Sequence, residues 1–359
     1  MTEEAMPAAI IQLDRSIDKG LCFLTDHQLQ NGEFVCYFSA DPLMKEWCVP
    51  DSVTFITALV CNCLLPFSER PDVKTALTRS SNFIEYQRMR GGVWSFYTKW
   101  HPSFPYLPPD IDDTCMALEF LKGMGNDTRQ HLPVLYANRN SKGLFYTWFT
   151  LHPTFPLHRD SWLVRLRFLK RPFKSFFYFL RNEFSVNDTD ALVNANVLYY
   201  LGASDNTKDV IAYLISLFEK GQELQKDNWY QNPFIAYYLY ARLFTKPVPG
   251  LAPIREVLRD RLLRLISTQE QWQDIELAVT VASLVYLGFA GRQLDELTAL
   301  LLERQQSNGS WRRHFFYVVP SGSYGWGSEE TTTAFAVEAL NAYRNFLLIK
   351  NDLISNENR

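Results

Sequence analysis

Apolar residues recur along most of the chain at three- and four-residue spacing, in segments parted by Gly, Pro and Asn, while sustained apolar–polar alternation is scarce. That period predicts α-helix almost throughout. The predicted helices are of two kinds, and the kinds alternate. Segments near 8–29, 71–88, 128–138, 205–221, 251–269 and 291–306 carry one charged face and so border solvent. Segments near 51–65, 111–123, 188–202, 233–245, 274–288 and 329–348 are apolar nearly all round and so are buried. Six such pairs predict an all-α fold: a single (α/α)6 barrel of six inner and six outer helices, spanning 1–359 as one domain.

A degenerate repeat supports this organisation. QLQNGEF (Gln28, Gly32, Phe34) follows the first outer helix, QRMRGGVW (Gln87, Gly91, Trp94) the second and QSNGSW (Gln306, Gly309, Trp311) the sixth. NSKGLFYTW (Gly143, Phe145, Trp148) and KDNWY (Trp229) are weaker versions after the third and fourth. Recurrence at about 50 residues marks stacked supersecondary units. Physically, Gly ends the outer helix, the aromatic packs under the turn and Gln bonds freed backbone groups, so these motifs read as clamps between helices.

Composition sharpens the picture in one respect. The chain holds 26 Phe, 18 Tyr and 9 Trp, more large rigid rings than an aliphatic core needs, which points to an aromatic-lined interior. With 36 basic and 39 acidic residues the net charge is −3, too balanced for a generic nucleic-acid binder. Six scattered Cys form no pair or framework and read as reduced thiols of a cytosolic protein. The N-terminus has acids where a signal peptide needs bases. The longest apolar stretch, near 53–67, is broken by Thr54, Thr57, Asn62 and Pro66, and falls short of the roughly 20 residues of a spanning helix. The six His lack metal-ligand spacing; His101, just before the acidic loop described next, is the one nearest to candidate chemistry.

Each inner helix begins with acidic or polar groups: Asp51; Asp110, Asp112 and Asp113; Asp188 and Asp190; Asn232; Asp274 and Glu276; Glu329 and Glu330. N-capping and the helix dipole account for most of them. In an α/α barrel, however, all inner N-termini meet at one end, at the mouth of the cavity. PPDIDDT exceeds the needs of a cap, with three carboxylates in four positions. Crowded carboxylates cannot all ionise cheaply, so at least one keeps its proton near neutral pH. Aimed into an apolar cavity, that proton can be given to an alkene. Binding of Mg²⁺ is the competing use of such a cluster.

One segment breaks the helical pairing. DSWLVRLRFLKRPFKSFFYFLRNEF, at about 160–184, interleaves Arg165, Arg167, Lys170, Arg171, Lys174 and Arg181 with large rings. It reads as an insertion suited to an anionic membrane surface or to the entrance for a lipid-like substrate. A buried connecting helix with snorkelling bases is the alternative.

DIDDT at the start of an inner helix, together with the QxxxGxW-type repeats, resembles the class II terpene cyclases such as squalene–hopene cyclase, from Gln28 to about Tyr343. The resemblance implies that Asp112, the middle acid, is the general acid, with Asp110 and Asp113 as its partners. Squalene–hopene cyclases orient that acid with a His on the next inner helix; the matching position here is Asn196, with Asn194 as the alternative. One barrel rather than two makes the chain similar to the monodomain cyanobacterial merosterolic acid synthase type. That type implies protonation-initiated cyclisation of a geranylgeranylated hydroxybenzoate to a polycyclic meroterpenoid, with no cofactor and no requirement for Mg²⁺. The cation-facing rings are then expected among Trp94, Tyr97, Trp100, Phe104, Tyr200, Trp229, Tyr230, Phe234, Tyr238 and Trp326. The partners expected are a hydrophobic polyprenyl substrate and peripheral membrane contact through 160–184, with no nucleic acid. No aspartate-rich DDxxD helix with a matching partner is present, so metal-assisted diphosphate ionisation is not indicated. Two other readings stay open. A class II cyclase of a free prenyl diphosphate, of drimane or labdane type, would use bases such as Arg165–Lys174 or Arg312 and Arg313. A non-catalytic lipid-binding α/α barrel would need none of this chemistry.

Overall fold

The computed structural model describes residues 5–152 and 159–357, so that His158 lies outside the described residues. The chain is built mainly from helices. Six are buried on nearly every face, the last of them over its first half: α2 (Thr54–Leu64), α4 (Ile111–Gly123), α8 (Ala191–Leu201), α10 (Pro233–Ala241), α12 (Asp274–Tyr286) and α14 (Glu329–Glu357). Their packing order follows the chain: α2 on α4, α4 on α8, α8 on α10, α10 on α12, α12 on α14, and α14 back on α2. The amphipathic helices α1 (Ala5–His27), α3 (Pro71–Gln87), α9 (Lys208–Lys220), α11 (Arg255–Thr268) and α13 (Arg292–Glu303) pack against α14, α2, α8, α10 and α12. The third amphipathic segment is shorter than its sequence period suggests. Pro133 and the turn Arg129–His131 confine it to α5 (Leu132–Tyr136). Two further helices, α6 (Arg159–Phe168) and α7 (Pro172–Arg181), stand between α5 and α8, where the insertion was expected.

The repeat motifs form one recurring clamp. Below the turn, the backbone N–H of the repeat aromatic donates to a side chain of the inner helix that follows. Phe34 donates to Thr57 (3.0 Å), Trp94 to Thr114 (3.0 Å) and Trp311 to Thr333 (3.1 Å). In the third repeat Phe145 donates to Asn194 (2.9 Å). The indoles of Trp94 and Trp311 are fully buried and donate back to the outer helix, to the carbonyls of Ile84 (2.7 Å) and Leu301 (2.8 Å). Truncating either indole to Ala is expected to cost roughly 3–5 kcal/mol. Gln28 Nε2 spans to the carbonyls of Gly32 (3.4 Å) and, on α3, Ala76 (2.8 Å). In the sixth repeat it is Gln305, not Gln306, that does the same, bonding Gly309 and Ser16 of α1 (both 2.9 Å). The i to i+4 spacing from Gln28 to Gly32 is the one Gln305 keeps.

The period-based reading contains no strands, yet four short ones form a sheet: β1 (Cys36–Ser39), β2 (Val49–Asp51), β3 (Tyr317–Val318) and β4 (Gly325–Gly327), in the order β2-β1-β4-β3 and antiparallel throughout. Two to four residues are too few to register as an alternation. The sheet ties the first repeat to the loop before α14, setting Phe38 opposite Trp326 and Tyr317 beside it.

Candidate active site

The acids at the helix starts divide by what they touch. Asp190 caps α8, accepting from Leu192 N (2.7 Å) and Val193 N (3.1 Å), and Asn232 caps α10. Glu276 closes a capping box on α12 with Gln273. Asp188 accepts from the Trp229 indole (2.9 Å) and Thr147 (2.7 Å), and Asp51 from the Trp326 indole (2.7 Å). Asp274 pairs with Arg304 (3.0 Å), Glu329 with Arg313 (2.7 Å) and Glu330 with His27 (3.5 Å). These groups serve local structure. The DIDD cluster is used differently.

Asp110, Asp112 and Asp113 form one wall of a partly open cavity, whose empty space, its mouth included, is about 590 Å³. Thr147, Leu107, Val193 and Val319 contribute to the lining, and the rest is rings: Phe55, Phe96, Tyr97, Trp148, Tyr178, Phe184, Trp229, Tyr230, Tyr317 and Trp326. The rings brace one another. Trp326 stacks on Tyr317 (centroids 5.1 Å apart, 11° between planes), and Phe96 meets both edge-on. Trp148 meets Trp229 edge-on at 5.4 Å. None of the lining residues is a Lys, Arg or His.

Asp110 is both cap and cluster member: its Oδ1 accepts from Asp113 N (2.7 Å) at the first turn of α4. Burial pushes its carboxyl up to about 6. Asp113 is pushed well above the ordinary carboxylate range, first by burial and then by the negative charges of Asp110 and Asp112, and its Oδ2 is buried without a hydrogen-bond partner. Both effects favour the protonated form of Asp113.

Asp112 has a more defined surrounding. Asn196 Nδ2, on α8, donates to its Oδ1 (2.7 Å), and the Tyr230 hydroxyl donates to its Oδ2 (2.6 Å). Asn196 Nδ2 also reaches the Tyr230 oxygen (3.0 Å), and the Arg242 guanidinium donates to Asn196 Oδ1. Burial raises Asp112 to about 7, with Asp110 adding to the rise, while Tyr230, Asn196 and Arg242 pull against it. The result is a carboxyl poised to give up a proton near neutral pH, at the edge of an aromatic cavity.

Asn194 is not part of this surrounding. Its side chain is spent on the third clamp, bonding both the N–H and the carbonyl of Phe145 and the carbonyl of Asp190. Of the ring candidates from sequence, Tyr97, Trp229, Tyr230 and Trp326 line the cavity. The other six lie elsewhere. Trp94 is sealed under its clamp. Trp100 is half exposed, bonded to Ser52 and stacked on Tyr86. Phe104 lies under the Arg167 guanidinium (4.4 Å), Tyr200 faces Lys122 (5.8 Å) and Phe234 packs on Trp272 (4.9 Å). Tyr238 donates to Glu338 of α14 (2.9 Å). His101 stands behind the wall, stacked on Tyr97 (3.9 Å) and bonded to Asp51 (2.9 Å).

Sequence reasoning missed Phe55, Phe96, Trp148, Tyr178, Phe184 and Tyr317 as wall residues. Trp148 sat in a repeat motif read as structural, and Tyr178 and Phe184 in a segment read as a membrane surface or a substrate entrance. Arg242 and the hydroxyl role of Tyr230 carried no sequence signal. Among the described residues, no group of three His, Cys, Asp or Glu side chains is arranged to hold a metal ion.

No family model matches the sequence, and no curated protein matches it. Solved structures share its fold. A variant of the type II terpene cyclase MstE from Scytonema, in complex with geranylgeranyl dihydroxybenzoate, superposes with a TM-score of 0.68 at 18% identity, covering 94% of this chain and 99% of that one. A second MstE variant, in complex with merosterolic acid A, gives 0.65 at 16% identity, covering 94% and 99%. A protein from Salmonella enterica described as a possible member of the GH105 family gives 0.52 at 10% identity, covering 93% of each chain. At these identities the likeness is one of fold, and unlike chemistries share that fold.

Proposed function

We propose that this protein is a class II terpene cyclase: one domain, a barrel of six inner and six outer helices, in which Asp112 protonates the terminal double bond of a polyprenyl chain. The observation that carries this reading is Asp112 itself, a carboxyl raised to about 7 at the acidic wall of a cavity otherwise lined mostly by rings. Burial, and after it the negative charge of Asp110, favour the protonated form of Asp112, and Asp113 completes the cluster. The polyprenyl chain folds against the wall, Asp112 donates, and rings close as the cation migrates along the chain. Each π-face that meets a desolvated cationic carbon contributes on the order of 2 kcal/mol. Preorganised folding of the chain removes much of the entropic barrier. A proton leaves at the end, so the product has the mass of the substrate.

The substrate we propose is a geranylgeranylated hydroxybenzoate, the kind of molecule bound in the MstE complex. A free prenyl diphosphate fits less well. The lining offers no cation to a diphosphate, and Arg313 is paired with Glu329. Arg167 and Lys174 are drawn onto Phe104 and Tyr106. The proton-first route calls for no cofactor and no Mg²⁺. The test is incubation with geranylgeranyl dihydroxybenzoate and with geranylgeranyl diphosphate, each with and without EDTA, followed by mass spectrometry and NMR. An isomer of the aryl substrate, formed equally with EDTA, is expected. Unchanged substrate in every arm would leave a lipid-binding barrel instead.

We further propose peripheral contact with an anionic membrane through α7, in a protein otherwise resident in the cytoplasm. Phe173, Phe176, Phe177 and Leu180 follow helical spacing on one face and are all exposed, Phe173 by 78%. Lys170, Arg171, Lys174 and Arg181 are exposed around them. The same segment sends Tyr178 and Phe184 into the cavity wall, which links the patch to the route a lipid-like substrate would take. No described helix is long and apolar enough to cross a membrane. Phe176→Glu combined with Phe177→Glu is expected to abolish co-sedimentation with phosphatidylserine vesicles. Equal sedimentation of the variant and the parent protein would remove this surface from the account.

A further inference from the structure

We infer that Arg242 is the positioning residue that fixes the direction of every hydrogen bond around Asp112, and so aims the acid's proton into the cavity. The inference rests on the reading of Asp112 as the proton donor.

Arg242 follows α10 and is buried, 6% exposed. Its guanidinium bonds Asn196 Oδ1. A guanidinium has donors and no acceptor, so the amide oxygen of Asn196 must face it. The amide nitrogen then faces the other way and offers one hydrogen to Asp112 Oδ1 (2.7 Å) and one to the Tyr230 oxygen (3.0 Å). Because the Tyr230 oxygen accepts from Asn196, its own hydrogen is directed to Asp112 Oδ2 (2.6 Å). Each carboxyl oxygen of Asp112 thus receives one donor. The acid's own proton occupies a lone pair that neither donor uses, on the side of the carboxyl left to the cavity. With the amide of Asn196 reversed, its oxygen would accept the Asp112 proton and hold it in the wall.

The guanidinium has no carboxylate within salt-bridge distance among the described residues. Its charge is met by the ring faces of Tyr199 (4.5 Å) and Tyr238 (6.0 Å) and by Met116 Sδ (3.9 Å). A buried cation without a paired anion is a costly element for a fold. An apolar side chain would fill the same space, but only a donor-only group dictates the orientation of Asn196.

The charged and titratable groups around this chain can be named. Asp112 faces Asp110 at the N-cap of α4, Asp113 and Cys115 on α4, and Tyr230 from the loop before α10. Arg242 faces Tyr199 of α8, Tyr238 of α10, Cys63 of α2 and Lys246, with Glu338 of α14 beyond Tyr238. Burial pushes the phenols of Tyr230 and Tyr238 and the thiols of Cys63 and Cys115 well up, so they stay neutral through the neutral range. The carboxyl cluster and Arg242 therefore set the local charge.

Two readouts test the inference. The first is the infrared C=O band of protonated Asp112, assigned by its loss in Asp112→Asn and titrated in the free protein. In Arg242→Met its midpoint is expected to move up by about one unit or more, because an opposite charge has been removed. The second is the rate profile. Activity requires protonated Asp112, so its alkaline limb moves upward with the midpoint. At the same time kcat falls by about tenfold or more as the proton is misdirected, with KM unchanged. Arg242→Lys, which keeps charge and donor, is expected to restore the limb and part of kcat. If Arg242→Met does not fold, Arg242→Gln removes the charge and carries the same readouts. A folded variant with the band and limb unmoved overturns the inference. If the band moves but no polyprenyl substrate is cyclised by the parent protein, the functional reading fails and the role of Arg242 in orienting Asp112 stands.

Discussion

Asp112→Asn is expected to reduce turnover by about a thousandfold or more while leaving substrate binding in place. The variant is nearly isosteric but carries no proton acidic enough to transfer to an alkene, and general acid catalysis of this kind is commonly worth up to about 10⁴-fold. Binding rests on the rings, which the substitution does not touch. The same variant has a second signature, in stability. Asp112 starts from an ordinary value of 3.8 and is raised to about 7 in the folded protein, mainly by burial. A carboxyl raised in this way favours the fold while it is protonated in both states, below pH 4. That contribution is lost as pH climbs through 7, by roughly 4 kcal/mol at most. A side chain that never ionises escapes the loss. Asp112→Asn should therefore melt at a higher temperature than the parent protein at pH 8, and the gap should narrow at pH 5 and close only near pH 4. Product assays, a binding titration and melting curves at the two pH values check all three parts. An active variant, or one whose melting temperature falls at pH 8, would remove Asp112 from the role of buried acid.

The parts legible in the sequence are those in which the chain's own pattern carries the physics. Helix pairs show because one member of each has a solvated face. The clamps show because Gly and an aromatic must recur at fixed offsets, although the Gln register slipped by one at Gln305, where two adjacent Gln offer the same chemistry. The contact between Asp112 and Asn196 was legible because three carboxylates exceed a cap and because a resemblance supplied the partner's position. The cavity wall was far less legible. On helices apolar all round, no periodicity says which ring faces the axis; Tyr200 and Phe234 are buried against Lys122 and Trp272 and do not line the cavity. Much of the wall instead comes from loops and from a two-residue strand, Tyr317 among them, where no period exists to read. Arg242 lies 130 residues from Asp112 in sequence and touches it only through Asn196, so nothing short of the fold could bring them together.

The second large effect concerns the clamp that carries the wall. Gly309 → Ala is expected to destabilise the protein by roughly 3 kcal/mol or more. Gly309 sits at φ +92°, where an L side chain is strained, and a Cβ there would lie 2.3 Å from the carbonyl oxygen of Lys19 on α1. Backbone cannot yield as a flexible side chain can. Relief would require the turn to lift off α1, and with it the Gln305 bonds to Ser16 and Gly309 and the seat of Trp311. Gly125 → Ala separates the two causes. Gly125 has nearly the same angle, φ +88°, but nothing within 4 Å of its Cβ direction, so its variant should lose only the roughly 1 kcal/mol of backbone strain. The clamp also leads directly into β3 and β4, which hold Tyr317 and Trp326 against the cavity. Whatever fold survives in the Gly309 variant should therefore show weaker substrate binding, while the Gly125 variant keeps it. Denaturant melts of the two variants side by side decide the matter: equal losses of stability would mean that the close approach to α1 contributes nothing beyond the angle.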